Sequence, residues 1–373
     1  MTSSYNIPEL PLQMELDTKE ILKQLSNASR ALAELKGVAK TIPNENILLN
    51  TLVLQEAKDS SEIENIVTTQ DDLYKTDSEI EDTKKTLERA AAKEVLRYRQ
   101  AMHTGFSLVK ENKLLTNTMI KQIQQELEEN RAGFRTLPGT QLRNVKDEVV
   151  YIPPQTKEEI ECCMINLENF ININTSDFCD LDPLIKLAII HHQFESIHPF
   201  YDGNGRTGRI LCVLYLVTND LIDLPILYLS RYITHNKSKY YDLIQCIRDN
   251  EGNNEKDWQN WILFMLKGIE QTSKETVLLI QNIKILMDEY KVKIREKFGT
   301  KYSHELLNNL FNHPYTKIEY IERDLDITRA TAAKYLDDIV ELGLLSKLKM
   351  GKSNYYINDR LTNLFINQAA LYK

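Results

Sequence analysis

HPFYDGNGRTGR, residues 198–209, places a histidine, an aspartate, an asparagine, two arginines and three of the chain's twelve glycines in twelve positions. The run before it, LIKLAIIHHQFESI (184–197), and the run after it, RILCVLYLVTNDLI (209–222), repeat apolar residues every three or four positions. That spacing predicts two buried helices joined by a glycine-rich loop. Backbone N–H groups of such a loop converge at the N-terminus of the second helix, which makes an anion site. Gly203, Gly205 and Gly208 let the backbone approach a phosphate, and Arg206 and Arg209, three apart on one helical face, supply planar donors to further phosphate oxygens. Asp202 is a hard oxygen ligand placed to hold Mg²⁺ against those phosphates. His198 remains as the proton acceptor, because a neutral imidazole can take a hydroxyl proton near pH 7. The glycines also satisfy GxGxxG, but no strand precedes them and no acidic residue closes a following strand, so a dinucleotide-binding fold is not supported.

The rest of the chain agrees with a mainly helical, soluble protein. It has 373 residues, 42% hydrophobic and 27% charged, long enough for two or three domains. Glycine and proline, 12 and 10 residues, are both scarce. No run of about eighteen apolar residues suggests a membrane span, and the N-terminus lacks a basic-then-apolar signal pattern, so the cytoplasm is the expected compartment. Five cysteines, without a CxxC pair, are expected to be buried thiols. A net charge of −8 argues against a protein that chiefly coats nucleic acid.

Helical spacing starts at 18–40, with an apolar stripe of Ile21, Leu22, Leu25, Ala28 and Leu32, and continues through 44–74. Residues 80–131 read as two helices broken near NKLLTNT, with Thr116 or Asn117 placed to cap the second. Periodicity switches at AGFRTLPGTQLRNVKDEVVYIPP (132–154), whose alternation and Gly/Pro punctuation predict a β-hairpin or flap. Helices then resume up to a break near Gly299–Ser303. The last seventy residues read as helix, short helix, turn, helix and two short strands around KMGKSN, the order of a winged helix-turn-helix. Adjacent His191 and His192 point about 100° apart on a helix, so structural roles are expected for them rather than shared metal ligation.

The 198–209 stretch resembles the signature of the Fic family, HxFx(D/E)GNGRxxR. His198, Phe200, Asp202, Gly203, Asn204, Gly205, Arg206 and Arg209 match every specified position. The resemblance extends to the GFR and YIPP ends of the flap, to LSRYITHNKSKYYDLI (229–244) and to the N-terminal LQEAKDSSEIENI (54–66), covering roughly residues 10–270. It implies a Fic-type helical core with a flap, divided as an N-terminal helical segment (1–100), a catalytic core (101–298) and a winged helix-turn-helix domain (299–373).

The activity implied is transfer of AMP from ATP to a Ser, Thr or Tyr hydroxyl of a protein target and of the chain itself. His198 would be the general base, Asp202 the Mg²⁺ ligand, and Gly203, Asn204, Gly205, Arg206, Thr207, Gly208 and Arg209 the ATP-binding loop. Phe200 would be a core residue orienting that loop, and Tyr240 and Tyr241 would line the nucleotide pocket. Gly133, Phe134 and Arg135 would belong to a flap on which an extended target segment docks as an added strand. SSEIEN (60–65) resembles the family's inhibitory motif (S/T)xxxE(G/N) through Ser60, Glu64 and Asn65, which implies that Glu64 pairs with Arg209 and blocks the γ-phosphate position. Removal of AMP from a modified protein would use the same site.

A different class of function is a nucleotide-sensing regulator that binds DNA through the winged helix, with Arg329, Thr331 and Lys334 on its recognition helix and Lys347, Lys349 and Lys352 on its wing. Residues 315–373 carry nine basic and eight acidic side chains, a balance that fits protein contact or homodimerisation as well as DNA.

Overall fold

The computed structural model describes residues 5–69, 72–74, 76, 88–144, 146–173, 175, 178–350 and 353–367. They separate into two compact units, one formed by 1–36, 56–66 and 97–274, the other by 37–55, 67–96 and 275–373. Helices dominate both units.

The first unit is built around two buried helices that pack together, α6 (Pro183–Ile197) and α7 (Asn204–Thr218), which the 198–203 loop connects. Nearly every side chain of both is buried, so neither is amphipathic and each is wrapped on all sides. Helices α4 (Asn117–Glu128) and α5 (Lys157–Asn172) pack beside them. Of the two candidate caps, Thr116 is the one in place: its side chain accepts from the Met119 N–H. Thr156 caps α5 in a reciprocal capping box with Glu159. In α1 (Lys19–Ala39) the buried stripe is Ile21, Ala28, Ala31, Leu32 and Leu35. Leu22 leaves it, 47% exposed, because it lies about 100° around the helix from Ile21.

The expected hairpin is present but short. Strands β1 (Leu142–Arg143) and β2 (Val149–Tyr151) pair antiparallel, Leu142 opposite Tyr151, with a bulge between Leu142 and Arg143. Helix α2 (Glu45–Ile63) runs to the inhibitory-like segment, and α3 (Glu88–Asn112) follows. After α7 come α8 (Leu229–His235), α9 (Lys237–Asp249) and the 44-residue α10 (Glu255–Phe298).

In the second unit α11 (His304–Asn312), β3 (Tyr315–Thr316), α12 (Ile318–Leu325), α13 (Arg329–Glu341), β4 (Ser346–Met350), β5 (Ser353–Ile357) and α14 (Asp359–Asn367) follow one another, the three strands ordered β3-β5-β4. Thr328 caps α13 through the Thr331 N–H, as the DIT turn requires. Lys352 of the expected wing lies outside the described residues. The cysteines correct the composition-based reading: only Cys212 is buried, whereas Cys162 and Cys246 are exposed on helix surfaces. Among the described residues no helix is long and apolar enough to cross a membrane.

Candidate active site

Helix α6 ends at His198, whose backbone takes the left-handed conformation (φ 48°, ψ 58°) and whose N–H caps the helix on the Phe194 carbonyl. A non-glycine residue there is uncommon and has to be held by its surroundings. The chain then turns through Gly203, also left-handed (φ 75°), into the first turn of α7. A Cβ at Gly203 would strike the Glu128 carboxylate, and one at Gly205 would strike Glu64 and Arg209, so both glycines permit close approach, and Gly203 permits the turn as well.

Asn204 braces the loop from within: its Oδ1 accepts from the Phe200 N–H and its Nδ2 donates to the Phe200 carbonyl, both at 2.8 Å. With both polar atoms so engaged, its amide holds the loop's shape and does not face the space in front of it. Phe200 is fully buried against Phe134, ring centroids 5.3 Å apart. Asp202 is exposed and accepts from the Gly203 N–H at 2.7 Å. Thr207 is buried at the start of α7.

Both loop arginines are deeply buried and engaged by carboxylates. Arg209 donates from Nη2 to Glu64 Oε1 (2.7 Å) and to the Ser60 carbonyl (3.0 Å), and from Nε to Ser60 Oγ (2.8 Å). Burial works against its charge, and Glu64 together with Tyr240, Glu195 and Tyr98 more than restores it. Arg206 lies between Glu64 Oε2 at 3.5 Å and Glu128 Oε1 at 2.8 Å. Glu64 thus touches both arginines of the signature, and Ser60 holds the second by side chain and backbone. Asn65, left-handed (φ 64°), turns the chain out of α2 and accepts from Lys237 Nζ at 3.2 Å.

His198 is partly buried, and its imidazole is pushed down to about 3 by burial first and then by the cations Arg248 and Arg135. It is therefore neutral across the physiological range, as a general base must be. Its buried Nδ1 has no hydrogen-bond partner among the described residues.

Of the two tyrosines, Tyr240 is enclosed and its hydroxyl is 2.8 Å from His191 Nε2, whereas Tyr241 packs edge-on against it and is 48% exposed. Only Tyr241 presents surface in this state. His191 and His192 sit in an aromatic cluster with Trp258 and Trp261, as core residues. Gly133, Phe134 and Arg135 lie at the hairpin's base. Gly133 takes a positive φ of 69°, and Lys121 Nζ lies 4.1 Å above the Phe134 ring. Arg135 is wholly buried.

Sequence reasoning missed a set of polar residues that only the fold brings together. Glu128 closes α4 against Arg206. On α2, Glu56 and Asp59 stand about two turns and one turn ahead of Glu64, Glu56 buried against Ser230 and Tyr98 and Asp59 paired with Arg231 at 3.0 Å. Glu195, half-buried in α6, is pushed up to about 7 chiefly by loss of water around it. One signal was available: Glu56, Asp59, Ser60 and Glu64 recur at helical spacing, a polar stripe on a helix with weak overall amphipathicity.

A neutral histidine at a left-handed helix end, a glycine-bearing loop followed by two buried arginines and the carboxylates of Glu64 and Glu128 on those arginines make up the site. Family models match the chain. One described as Fic/DOC family N-terminal matches residues 22–107, one described as Fic/DOC family matches 114–216, and one described as protein adenylyltransferase SoFic-like, C-terminal domain, matches 286–361. The chain belongs to the Fic/DOC family.

Among curated relatives, protein adenylyltransferase fic-1 of Caenorhabditis elegans is 25% identical over 174 residues, which is 46% of this chain and 33% of that protein. A probable protein adenylyltransferase of Aquifex aeolicus is 46% identical over 54 residues, 14% of this chain and 17% of that protein. The chain thus spans about a third or less of the length of these relatives. A crystal structure of a Fic family protein from Desulfovibrio desulfuricans G20 has the same fold, with a TM-score of 0.57 at 17% identity over 93% of this chain and 97% of that one. A Fic domain containing protein from Bacteroides thetaiotaomicron matches with a TM-score of 0.50 at 17% identity, over 70% of this chain and 97% of that one.

Proposed function

We propose that the chain is a protein adenylyltransferase that transfers AMP from ATP to a Ser, Thr or Tyr hydroxyl of a target protein and of itself, held at rest by Glu64 on Arg209. The observation that carries this reading is the Glu64 carboxylate on the buried signature arginines, where the phosphates of a nucleotide would otherwise be the anions.

In the transfer, the target hydroxyl oxygen forms a bond to the α-phosphorus while the bond from that phosphorus to the oxygen bridging it to the β-phosphate breaks. His198 takes the hydroxyl proton and pyrophosphate leaves. The protein's part is mostly positioning and electrostatic stabilisation. N–H groups of the first turn of α7 face the α- and β-phosphates, and Arg206 and Arg209 neutralise charge on the β- and γ-phosphates once Glu64 has withdrawn.

Asp202 fits Mg²⁺: it is an exposed carboxylate at the loop's rim, and no cluster of three acidic, histidine or cysteine residues stands among the described residues. A cation there would take its other ligands from phosphate oxygens and water, the usual mode for this ion. When bound, Mg²⁺ lowers the negative charge that the arginines must otherwise neutralise alone.

The C-terminal elements fit a winged helix-turn-helix that contacts protein. Arg329 at the start of α13 is paired with Glu319 at 2.7 Å, and Lys347 with Asp337 at 2.7 Å, which reduces the positive surface a DNA-binding regulator needs.

The test is incubation of purified wild type, Glu64→Gly, His198→Ala and the double variant with Mg²⁺ and ATP labelled at the α-phosphate, followed by detection of labelled protein. Glu64→Gly should label itself and lysate proteins, and both forms lacking His198 should not. Absence of AMP transfer by Glu64→Gly, with UTP and GTP equally inert, would sink the enzyme reading.

A further inference from the structure

The base of the hairpin is joined to the catalytic loop residue by residue. Phe134 packs at a tilt against Phe200, the Arg135 N–H donates to the Pro199 carbonyl at 2.8 Å, and the N–H groups of Thr136 and Leu137 donate to the Tyr201 hydroxyl at 3.0 and 3.2 Å. Arg135 is the centre of this seam. Its side chain has no exposed surface, its Nε donates to the His198 carbonyl at 2.7 Å, and its Nη2 donates to the Ile197 carbonyl at 3.3 Å and to the Pro154 carbonyl beyond the hairpin.

One guanidinium therefore ties three carbonyls: the last of α6, that of His198 itself, and one at the far end of the hairpin. The carbonyls of Ile197 and His198 belong to the two peptide units on either side of the His198 Cα, so holding both fixes its φ and ψ in the left-handed region, an unfavourable conformation for a residue with a Cβ. A planar donor with N–H groups in several directions can hold them together, and a lysine ammonium on a flexible stem cannot reproduce the fork.

We propose that Arg135 is the positioning residue of the base: its guanidinium locks the left-handed backbone of His198 and so aims the imidazole, and it couples that aim to the hairpin through Pro154. This rests on His198 being the general base. A second consequence is electrostatic. The charged groups facing His198 are Arg135 from the hairpin base and Arg248 from α9, both cations, and burial adds to their effect in keeping the ring unprotonated.

The test uses the full chain in the Glu64→Gly background, with Arg135→Lys, Arg135→Gln and Arg135→Ala added singly. Misaim of the base should lower kcat for self-labelling by about 30- to 300-fold while KM for ATP stays within about threefold, since a displacement of about 1 Å commonly costs about a hundredfold. Arg135→Lys should be no better than Arg135→Gln. Millimolar guanidinium should restore at least fivefold of the rate lost in Arg135→Ala and none of that lost in His198→Ala. The His198 imidazole, followed by NMR, should titrate at higher pH in Arg135→Gln, which removes a cation, and close to wild type in Arg135→Lys, which keeps one, a readout independent of activity that survives if Arg135→Ala fails to fold.

Unchanged kcat in Arg135→Gln, or full activity in Arg135→Lys, overturns the proposal while leaving the enzyme reading intact. Transfer that persists in His198→Ala removes the reading on which it rests.

Discussion

Glu64 and Arg209 meet at 2.7 Å, with the arginine 2% exposed and the glutamate 26%. A pair so placed opens at a cost of a few kcal/mol, because the charge left behind is buried. Glu64→Gly is therefore expected to raise self-adenylylation about tenfold to a thousandfold, at about 1.4 kcal/mol per tenfold. Arg209→Ala should remove γ-phosphate placement, and Glu64→Gly should then add nothing to it, as for any two residues that act through one contact. Initial rates of the four proteins at saturating ATP measure this, and equal rates for wild type and Glu64→Gly would reduce SSEIEN to an ordinary helix end.

The twelve-residue stretch 198–209 was legible because its chemistry is local: His, Asp, Asn, Gly and Arg stand within twelve consecutive positions. Glu128 and Arg231 carried no comparable signal, and Arg135 was marked only as a residue of the flap. Their partners lie 78, 63 and 172 positions away, and only the packing of α4, the hairpin and α8 supplies them.

At the scale of the element, the end of α2 within the first unit carries a row of engaged polar groups beside the buried Ala57 and Ile63. Glu56, Asp59, Ser60 and Glu64 succeed one another at helical spacing, and burial of Glu56 pushes its carboxyl up to about 8. Ser230 donates to both of its oxygens and partly opposes that rise.

The sign follows from the proton count. Between the ordinary carboxyl value near 4.5 and about 8, the folded chain holds a proton on Glu56 that the unfolded chain has released. The contribution is present below about 4.5 and is lost as pH rises through 8. Glu56→Gln, which mimics the protonated form, should melt close to wild type at pH 5 and several degrees higher at pH 8. Thermal melts at the two pH values decide it, and an equal shift at both would mean that Glu56 is ionised in the fold. Elements were readable where periodicity was long, as in α10, and at caps such as Thr116. The hairpin was readable as an interruption, but its two- and three-residue strands and bulge depend on the contacts of its base with the catalytic loop.

At the scale of the molecule, charge and connectivity make separate claims. A net charge of −8 and the Glu319–Arg329 and Asp337–Lys347 pairs predict that the full chain will not retain a 30-base-pair duplex below about 10 µM protein at 150 mM salt. Tighter binding in a mobility-shift assay would favour the DNA-binding regulator. Connectivity concerns the second unit, in which residues 275–298 of α10 group with the strands and helices after Gly299, although the helix itself stops at Phe298. Sequence marks where a helix ends, through Gly299 and its positive φ of 55°, and does not mark which side chains it shares with later elements.

On α10, Leu286, Met287, Tyr290 and Ile294 form a buried face, and the Tyr290 hydroxyl lies 2.7 Å from the Leu344 carbonyl and 2.9 Å from Asn358 Oδ1. Tyr290→Phe leaves those acceptors without their donor and should cost about 1 to 3 kcal/mol, seen as a lower midpoint in denaturant with an unchanged slope. Ending the chain at Phe298 is a larger perturbation: it uncovers the whole face and should give a protein that aggregates in size-exclusion chromatography, whereas Tyr290→Phe elutes as wild type does. A monodisperse truncated chain with undiminished melting temperature would show that the apolar face of α10 is satisfied without the residues beyond Gly299.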